Sequence, residues 1–331
     1  MPGLRRQIED TNEGSRRFEH PRRMGVILRP TQRQLESAMF ASVDDVLTAL
    51  TTESYVADRG LATAIFLALR LEKPLLLEGE AGVGKTEVAK VVATALGARL
   101  IRVQGYEGID ISAALYEWNY PRQIMAIRLA EASGNVEAID LFGDDFLIKR
   151  PILQALESTA ESPVLLLIDE LDRADDEFEA FLLEVLSDFQ VSIPEVGTIQ
   201  AAHRPAVIIT SNRTRELHEA LKRRCLYHWI GYPSFEKELA IVNLKAASAT
   251  PDLKRQAVAL VQDLRRRELY KAPGVSETLD WTQALVALGH DSVTSATTAE
   301  TLGVLLKNQE DIDSLSEADL AGLVESAQRK A

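Results

Sequence analysis

Residues 75–86 read LLLEGEAGVGKT and join an apolar run of strand length to a helical pattern over residues 87–96. The fixed positions of the spacing Gly-x-x-x-x-Gly-Lys-Thr are Gly79, Gly84, Lys85 and Thr86. Glycines let bare backbone wrap a triphosphate, and the N–H groups of such a loop point inward at the positive end of the following helix. The stretch therefore predicts a phosphate-binding loop between a strand and a helix.

The types of residue in this loop predict how it would hold ATP. Lys85 is expected to reach the β- and γ-phosphates, and the Thr86 hydroxyl to hold Mg²⁺. The predicted nucleotide-binding residues are Gly79, Glu80, Ala81, Gly82, Val83, Gly84, Lys85, Thr86 and Glu87. A glycine turn beside a surface lysine is the alternative, but it does not account for the flanking strand and helix.

A pair of acidic residues gives the second signal. Asp169 and Glu170 follow the apolar run that begins at Val164, which is typical of a strand buried on both faces. At the end of such a strand, one carboxylate can support Mg²⁺ while its neighbour polarises a water for attack on the γ-phosphate. Asp169 is predicted to serve the magnesium and Glu170 to act as the base. Two solvated acids after a strand are the alternative.

Two further positions suit phosphoryl transfer. Asn212 ends the sequence Thr-Ser-Asn after another apolar run, where its amide could orient the attacking water or serve only as a turn residue. Arg223 and Arg224 precede the last predicted strand. The planar arginine fork stabilises charge on transferred phosphoryl oxygens, and such fingers raise rates by about 10³ to 10⁵. If a neighbouring subunit supplies the finger, hydrolysis requires a ring.

Composition narrows the function class. Fifty acidic and 37 basic residues among 331 give a net charge of −13, which argues against broad nonspecific binding to nucleic acid or anionic membranes. No apolar run approaches the roughly 20 residues that cross a bilayer, so a cytoplasmic location is expected. The single cysteine, Cys225, and five scattered histidines predict no metal site made by the protein alone.

The order of apolar and helical segments predicts an α/β fold with a five-stranded parallel, doubly wound sheet. The predicted strands are Leu75 to Glu78, Arg99 to Gln104, Val164 to Asp169, Ala206 to Ser211 and Leu226 to Ile230. The predicted later helices are Phe235 to Ala247, Leu253 to Arg266, Ser276 to Leu288, Ala299 to Leu306 and Glu317 to Gln328.

Changes in composition also suggest where the domains begin and end. The expected units are an arginine-rich flexible extension over 1–40, a core over 41–232 and a helical lid over 233–331. Within the core, residues 105–150 form an insertion and 189–200 read as a hairpin. The extension is either a binding arm or a solvated tail.

These motifs carry a family resemblance. The chain resembles AAA+ ATPases and, within them, the MoxR group, most closely its CoxD-like branch associated with carbon monoxide dehydrogenase maturation. The resemblance covers roughly Val43 to Leu288. It is carried by GEAGVGKT at 79–86, LLLIDE at 165–170, TSN at 210–212, LKRRC at 221–225 and GYEGIDISAALYEWNYPRQ at 105–123.

The resemblance implies a P-loop NTPase core with a helical lid, ring assembly that is usually hexameric, and ATP at subunit interfaces. It implies that Lys85 and Thr86 form Walker A, that Asp169 and Glu170 form Walker B, and that Asn212 is sensor 1. Arg224 would be the arginine finger, with Arg223 as the alternative because spacing does not separate them. The insertion and the hairpin would face the pore or a client.

The lid departs from the family pattern. MoxR-type lids carry a nucleotide-sensing arginine in a motif like GxSPR, whereas residues 274–278 read GVSET. The arginines at 265–267 either substitute for it or form a charge run on a helix surface, the interpretation that charge patterning favours. The aromatic residues of the insertion either grip a client or pack inside it; they are Tyr106, Tyr116, Trp118 and Tyr120.

The resulting expectation is an ATP-hydrolysing remodelling chaperone. By resemblance, its client would be a molybdenum hydroxylase such as carbon monoxide dehydrogenase, with a von Willebrand A-domain protein as co-partner. A nucleotide-switched scaffold with little turnover is one alternative. A DNA-acting motor is the other, and the acidic balance argues against it.

Overall fold

A computed structural model describes residues 40–133 and 140–330, so the predicted extension lies outside the described residues except for residue 40. The described strands are β1 Leu75–Gly79, β2 Arg99–Gln104, β3 Tyr116–Trp118, β4 Leu147–Lys149, β5 Val164–Asp169, β6 Gln190–Ile193, β7 Gly197–Gln200, β8 Ala206–Ser211 and β9 Leu226–Ile230. No helix within these residues is long and apolar enough to span a membrane.

Helices surround the sheet and make up the carboxyl-terminal region. In the first part of the chain they are α1 Val43–Thr52, α2 Arg59–Arg70, α3 Lys85–Ala95, α4 Ile111–Ala114, α5 Tyr120–Ser133, α6 Pro151–Leu156, α7 Asp176–Asp188 and α8 Glu219–Lys222. After the sheet they are α9 Phe235–Lys245, α10 Pro251–Leu264, α11 Val275–Ala287, α12 Ser295–Leu305, α13 Gln309–Asp313 and α14 Glu317–Lys330.

The central sheet has five parallel strands in the order β2-β5-β8-β1-β9. Both of its faces are buried, because successive side chains of a strand point to opposite faces. On β1, Leu75 and Leu77 pack with α1, α2 and α3, whereas Leu76 packs in the cluster that contains α6 and α7. The predicted α/β fold with helices on both faces is confirmed.

Parallel pairing brings the carboxyl ends of the strands to one edge of the sheet. In this register Glu78 of β1 lies beside Ser211 of β8, and Gln104 of β2 lies beside Asp169 of β5. The phosphate loop leaves β1 at the same edge. The sequence motifs that are far apart along the chain therefore meet in space.

The insertion contains short elements that the sequence does not predict. These elements are strands β3 and β4, which pair antiparallel. Helix α5 begins at Tyr120, two residues after β3 ends. Trp118 is buried and contacts Phe142 edge to face at 5.3 Å, so this aromatic residue packs inside the insertion. Tyr106 and Tyr120 are exposed. Strands β6 and β7 form the predicted hairpin.

The carboxyl-terminal helices enclose a separate apolar cluster around Trp281. They also contain a buried ion pair. Arg265 donates to both oxygens of Glu238 at 2.6 and 2.7 Å, and the two side chains are only 6% and 0% exposed. The interpretation of residues 265–267 as a surface charge run is therefore wrong for Arg265, although Arg266 is exposed.

This pair predicts a difference between the two adjacent arginines. Arg265→Ala leaves the Glu238 carboxylate buried without its cation, so we expect a loss of about 3 to 5 kcal/mol in the free energy of unfolding. Arg266→Ala is the matched control and should change it by less than about 0.5 kcal/mol. Urea denaturation followed by circular dichroism measures both. Equal losses in the two variants would contradict the structural role of the pair.

Candidate active site

Glycines shape the loop between β1 and α3. Gly82 and Gly84 have φ angles of 75° and 94°, and Gly84 is the N-cap residue that directly precedes α3. A Cβ atom on Gly79 would lie 2.0 Å from the Ile230 carbonyl oxygen, so no larger residue fits there without a shift of the backbone. The first turn of α3 thus presents unpaired N–H groups to the space in front of the loop.

Lys85 lies in the mouth of this loop and is only 6% exposed. Its ammonium donates to the carbonyl oxygens of Gly79 and Glu80 at 2.8 and 2.7 Å. Burial lowers the pKa of Lys85, although nearby carboxylates, Asp172 foremost, oppose the shift. The loop therefore holds a cation where a phosphate chain would lie.

Asp169 joins three other elements through its carboxylate and is 1% exposed. Its Oδ1 accepts from the hydroxyl of Thr86 at 2.9 Å and from that of Thr210 at 2.6 Å, and its Oδ2 accepts from Arg102 Nη2 at 2.6 Å. Thr86 and Asp169 thus meet although 83 residues separate them. The structure brings together the two residues predicted to serve the magnesium.

The oxygens of Thr86 and Asp169 fit Mg²⁺. This ion prefers oxygen ligands and is usually bound through one or two carboxylates together with substrate phosphates. Among the residues that the structure describes, no group of three or more His, Cys, Asp or Glu side chains could hold a metal by itself. The pair therefore suits a metal that arrives with a nucleotide.

Glu170 follows Asp169 in a left-handed conformation with φ 54° and ψ 49°. Its Oε1 accepts from Asn212 Nδ2 at 3.2 Å. Its Oε2 accepts from Gln104 Nε2 at 3.0 Å and from Arg173 Nη1 at 3.2 Å. Three donors fix the orientation of this carboxylate, and the predicted base lies beside the predicted water-orienting amide.

The sequence did not reveal three of the residues at this site. Arg102 and Gln104, which also hydrogen-bond each other, lie on β2 and contact Asp169 and Glu170, respectively. Asp172 is 2% exposed and accepts from the backbone N–H groups of Asn212 and Thr214 at 3.1 and 2.8 Å. For Gln104, the position at the carboxyl end of a predicted strand was the available signal.

A cleft of about 430 Å³ lies in front of the phosphate loop. Residues 81–87 line one wall, with Asp169, Glu170 and Asn212. Helices α9 and α11 line the other. The Gly82 carbonyl accepts from the N–H groups of Val275 and Ser276 at 3.0 and 3.3 Å, so the start of α11 contacts the loop directly.

The GVSET segment thus lies at the loop without an arginine. Thr278 takes the place where the family pattern has arginine, and its buried hydroxyl donates to Glu238. Arg265 does not line the cleft, because its guanidinium contacts Glu238 and the Pro273 carbonyl. It is therefore not a substitute for the missing arginine in this structure.

Arg223 and Arg224 lie away from the cleft. Both are exposed and precede β9, whose first residue, Leu226, pairs with Leu75 at the start of β1. The phosphate loop leaves the opposite end of β1. The structure therefore does not bring either predicted finger to the site of its own chain.

The parallel sheet, the glycine loop and the paired threonine and aspartate define a P-loop NTPase core. Residues 74–225 match the model of the AAA domain, dynein-related subfamily. This segment includes every strand of the central sheet except β9. Residues 74–225 therefore form an AAA-type domain, and the chain is an ATP-hydrolysing enzyme that uses ATP with Mg²⁺, as the sequence predicted. The match does not distinguish the MoxR group or its CoxD-like branch.

Solved structures to which the chain is similar include two variants of RuvB from Thermotoga maritima and a predicted ATPase from Cytophaga hutchinsonii. The RuvB chains are 16% identical, with TM-scores of 0.44 and 0.45; the alignments cover 85% and 84% of this chain and 72% and 74% of theirs. The Cytophaga chain is 16% identical, with a TM-score of 0.42, 93% coverage of this chain and 99% of its own. A comparison with curated protein sequences found no significant match.

The contacts of Asp172 predict an effect on turnover. Asp172→Asn removes one of the two carboxylate oxygens that accept hydrogen bonds from the segment carrying Asn212. We therefore expect the Asn212 amide to be misplaced and ATPase turnover to fall roughly 100-fold. The variant should still bind ATP, because Asp172 does not line the cleft. Steady-state phosphate release and nucleotide titration measure the two quantities.

Asp188→Asn is the matched control for this prediction, since Asp188 is exposed at the end of α7 and has no hydrogen bond to the site. It should behave as wild type. Wild-type turnover in Asp172→Asn would show that the Asn212 segment keeps its position without this carboxylate.

Proposed function

We propose that the chain is a remodelling ATPase that hydrolyses ATP within a ring of identical subunits and acts on a client protein. The observation that carries the proposal is the hydrogen bond between Glu170 and Asn212. Glu170 directly follows Asp169, whose carboxylate accepts a hydrogen bond from Thr86. This arrangement supplies a base, a water-orienting amide and a metal-binding pair at the mouth of a phosphate loop.

The proposed reaction is attack of water on the γ-phosphate of ATP. The oxygen of the water bonds to the γ-phosphorus while Glu170 takes a proton from the water. The bond from that phosphorus to the oxygen bridging the β- and γ-phosphates breaks, which gives ADP and phosphate. Asn212 holds the water, and Lys85 stabilises the negative charge on the phosphates. Bound Mg²⁺ supplies further positive charge at the phosphate oxygens.

A second subunit completes this site in the proposal. Arg224, or Arg223 beside it, would enter the cleft of a neighbouring copy and stabilise the charge that spreads over the transferred phosphoryl group. Their exposure and their location at the other end of β1 support this, because a residue that acts in another subunit must point away from its own site. A closed ring, hexameric by family resemblance, follows from such head-to-tail contacts.

The insertion at 105–150 is proposed to contact the client. Helix α5 exposes large apolar side chains, which is unusual on a surface that contacts only water. They are Tyr120, Ile124, Met125 and Leu129. The hairpin at 189–200 is proposed to act with the insertion.

Placement in the MoxR group and its CoxD-like branch is part of the same proposal and rests on resemblance alone. So do a molybdenum hydroxylase as client and a von Willebrand A-domain protein as co-partner. A cytoplasmic location is also proposed, on the ground given by the sequence, in which no apolar run approaches the length that crosses a bilayer. The proposed units are the extension 1–40, the ATPase core 41–232 and the lid 233–331.

The proposed base gives the most direct test of turnover. Glu170→Gln should retain ATP binding and lose turnover by about 10² to 10⁴-fold, because the amide does not accept the proton of the attacking water. Glu177→Gln, an exposed position on α7, is the control. Equal, negligible turnover in wild type and Glu170→Gln, with intact rings, would instead support a nucleotide-switched scaffold.

The finger is tested by mixing two inactive variants. Arg224→Ala should bind ATP and lose most turnover, as Glu170→Gln does. When the two are mixed, some interfaces pair an intact Glu170 with an intact Arg224 from the neighbouring subunit, so we expect phosphate release to reappear.

Arg223→Ala in the same mixing assay separates the two arginines. Full activity of Arg224→Ala alone, together with an inactive Arg223→Ala, would move the finger to Arg223. If neither mixture recovers activity, in rings that are shown to exchange subunits, action of either arginine between subunits is ruled out.

A further inference from the structure

Helix α9 presents one face to the nucleotide cleft. Lys237, Ile241 and Lys245 line the cleft and are spaced four residues apart, which places them on the same side of the helix. The two lysines are about 12 Å apart along the helix axis. Among the described residues, they are the charged side chains with which the lid lines the cleft.

Lys245 lies at the end of this face that is near the phosphate loop. Its Nζ is 3.0 Å from Oε1 of Glu87, which directly follows Thr86 in the first turn of α3. Glu87 Oε2 also accepts from Lys90 at 3.3 Å. The lid therefore places the ammonium of Lys245 at the N-terminal end of α3, the helix end that attracts anions at the phosphate loop.

The pair between Lys245 and Glu87 is suited to being exchanged. Both side chains remain more than a third exposed, and ion pairs between such exposed side chains are weak. The Glu87 carboxylate lies within hydrogen-bond distance of Lys245 and therefore competes for it with any phosphate that enters.

Lys237 differs from Lys245 in its contacts. Its Nζ is 2.9 Å from Oδ2 of Asp58, whose Oδ1 caps the start of α2 by accepting from Leu61 N at 2.8 Å. Asp58 is therefore held by a structural contact of the core and is distant in sequence from the phosphate loop. Lys237 serves as an internal comparison: it is a lysine on the same helix face, paired with a carboxylate away from α3.

We infer that Lys245 is the residue through which the lid senses the phosphates of the bound nucleotide, exchanging Glu87 for the phosphate chain. The inference rests on the proposed nucleotide site. It assigns to a lysine of α9 the sensing of nucleotide by the lid, for which the GVSET segment has no arginine. ATP carries one phosphate more than ADP, so the exchange favours ATP, and the lid responds because Lys245 belongs to the lid and Glu87 to the core.

The test is the ratio of ADP to ATP dissociation constants, measured with Mg²⁺ by isothermal titration calorimetry in the Glu170→Gln background to prevent turnover. Lys245→Ala should reduce the preference for ATP by about 10-fold, within the usual range of coupling between a ligand and a conformational change. Lys237→Ala should leave the ratio unchanged, and Lys245→Arg should largely restore it.

A second substitution separates sensing from mere loss of a contact between lid and core. Glu87→Gln removes the competitor of Lys245, so it should strengthen ATP binding several-fold when Lys245 is present and have no effect on ATP binding in Lys245→Ala. A purely structural ion pair predicts the opposite, with Glu87→Gln and Lys245→Ala weakening ATP and ADP binding alike.

The outcomes separate this inference from the proposed function. If the Glu170→Gln protein takes up no ATP, the proposed nucleotide site is wrong. If it binds ATP but Lys245→Ala keeps the ADP to ATP ratio, or Lys237→Ala lowers the ratio as much, the site stands and the sensing role of Lys245 is overturned.

Discussion

The buried carboxylate of Asp169 is the constraint on which the site depends. It accepts hydrogen bonds from Thr86 on α3, Thr210 on β8 and Arg102 on β2. An ionised carboxylate at 1% exposure is costly unless it is paired and hydrogen-bonded. These contacts therefore fix the position of the phosphate-loop helix relative to the sheet edge, and the proposed catalytic groups are arranged around that position.

The lid is joined to this arrangement by backbone contacts and by charge. The N–H groups at the start of α11 donate to the Gly82 carbonyl. The loop that precedes α11 is held by Arg265, which donates to the Pro273 carbonyl and also forms the buried ion pair with Glu238. The phosphate loop and the lid are thus in direct contact without an arginine at the GVSET segment. Lys245 adds a further contact between the lid and the core, through Glu87 on α3.

Much of the fold could be predicted because its strands are continuous apolar runs. A run such as VLLLID has no amphipathic period, which is typical of a strand covered on both faces, and parallel pairing then places Asp169 beside the phosphate loop. The short pair β3–β4 was missed because three-residue strands give no period to detect. Helix α13, with five residues, was missed for the same reason.

Side-chain roles that depend on contacts distant in sequence could not be predicted. The run RRR at 265–267 does not reveal that Arg265 points inward to Glu238 while Arg266 faces solvent. Lys245 and Glu87 are 158 residues apart, and nothing in either local sequence indicates the contact. The phosphate loop and the acidic pair could be predicted from the sequence, because their chemistry fixes both residue type and spacing.

The central claim is that Thr86 and Asp169 hold one magnesium-bound ATP at the phosphate loop. Calorimetric titration of ATP with and without Mg²⁺, in wild type and in Asp169→Asn, tests it most directly. The account predicts one ATP per chain in wild type, with affinity strengthened by Mg²⁺, and loss of that strengthening in Asp169→Asn. Absence of ATP uptake, or the same dependence on Mg²⁺ in both proteins, would contradict it.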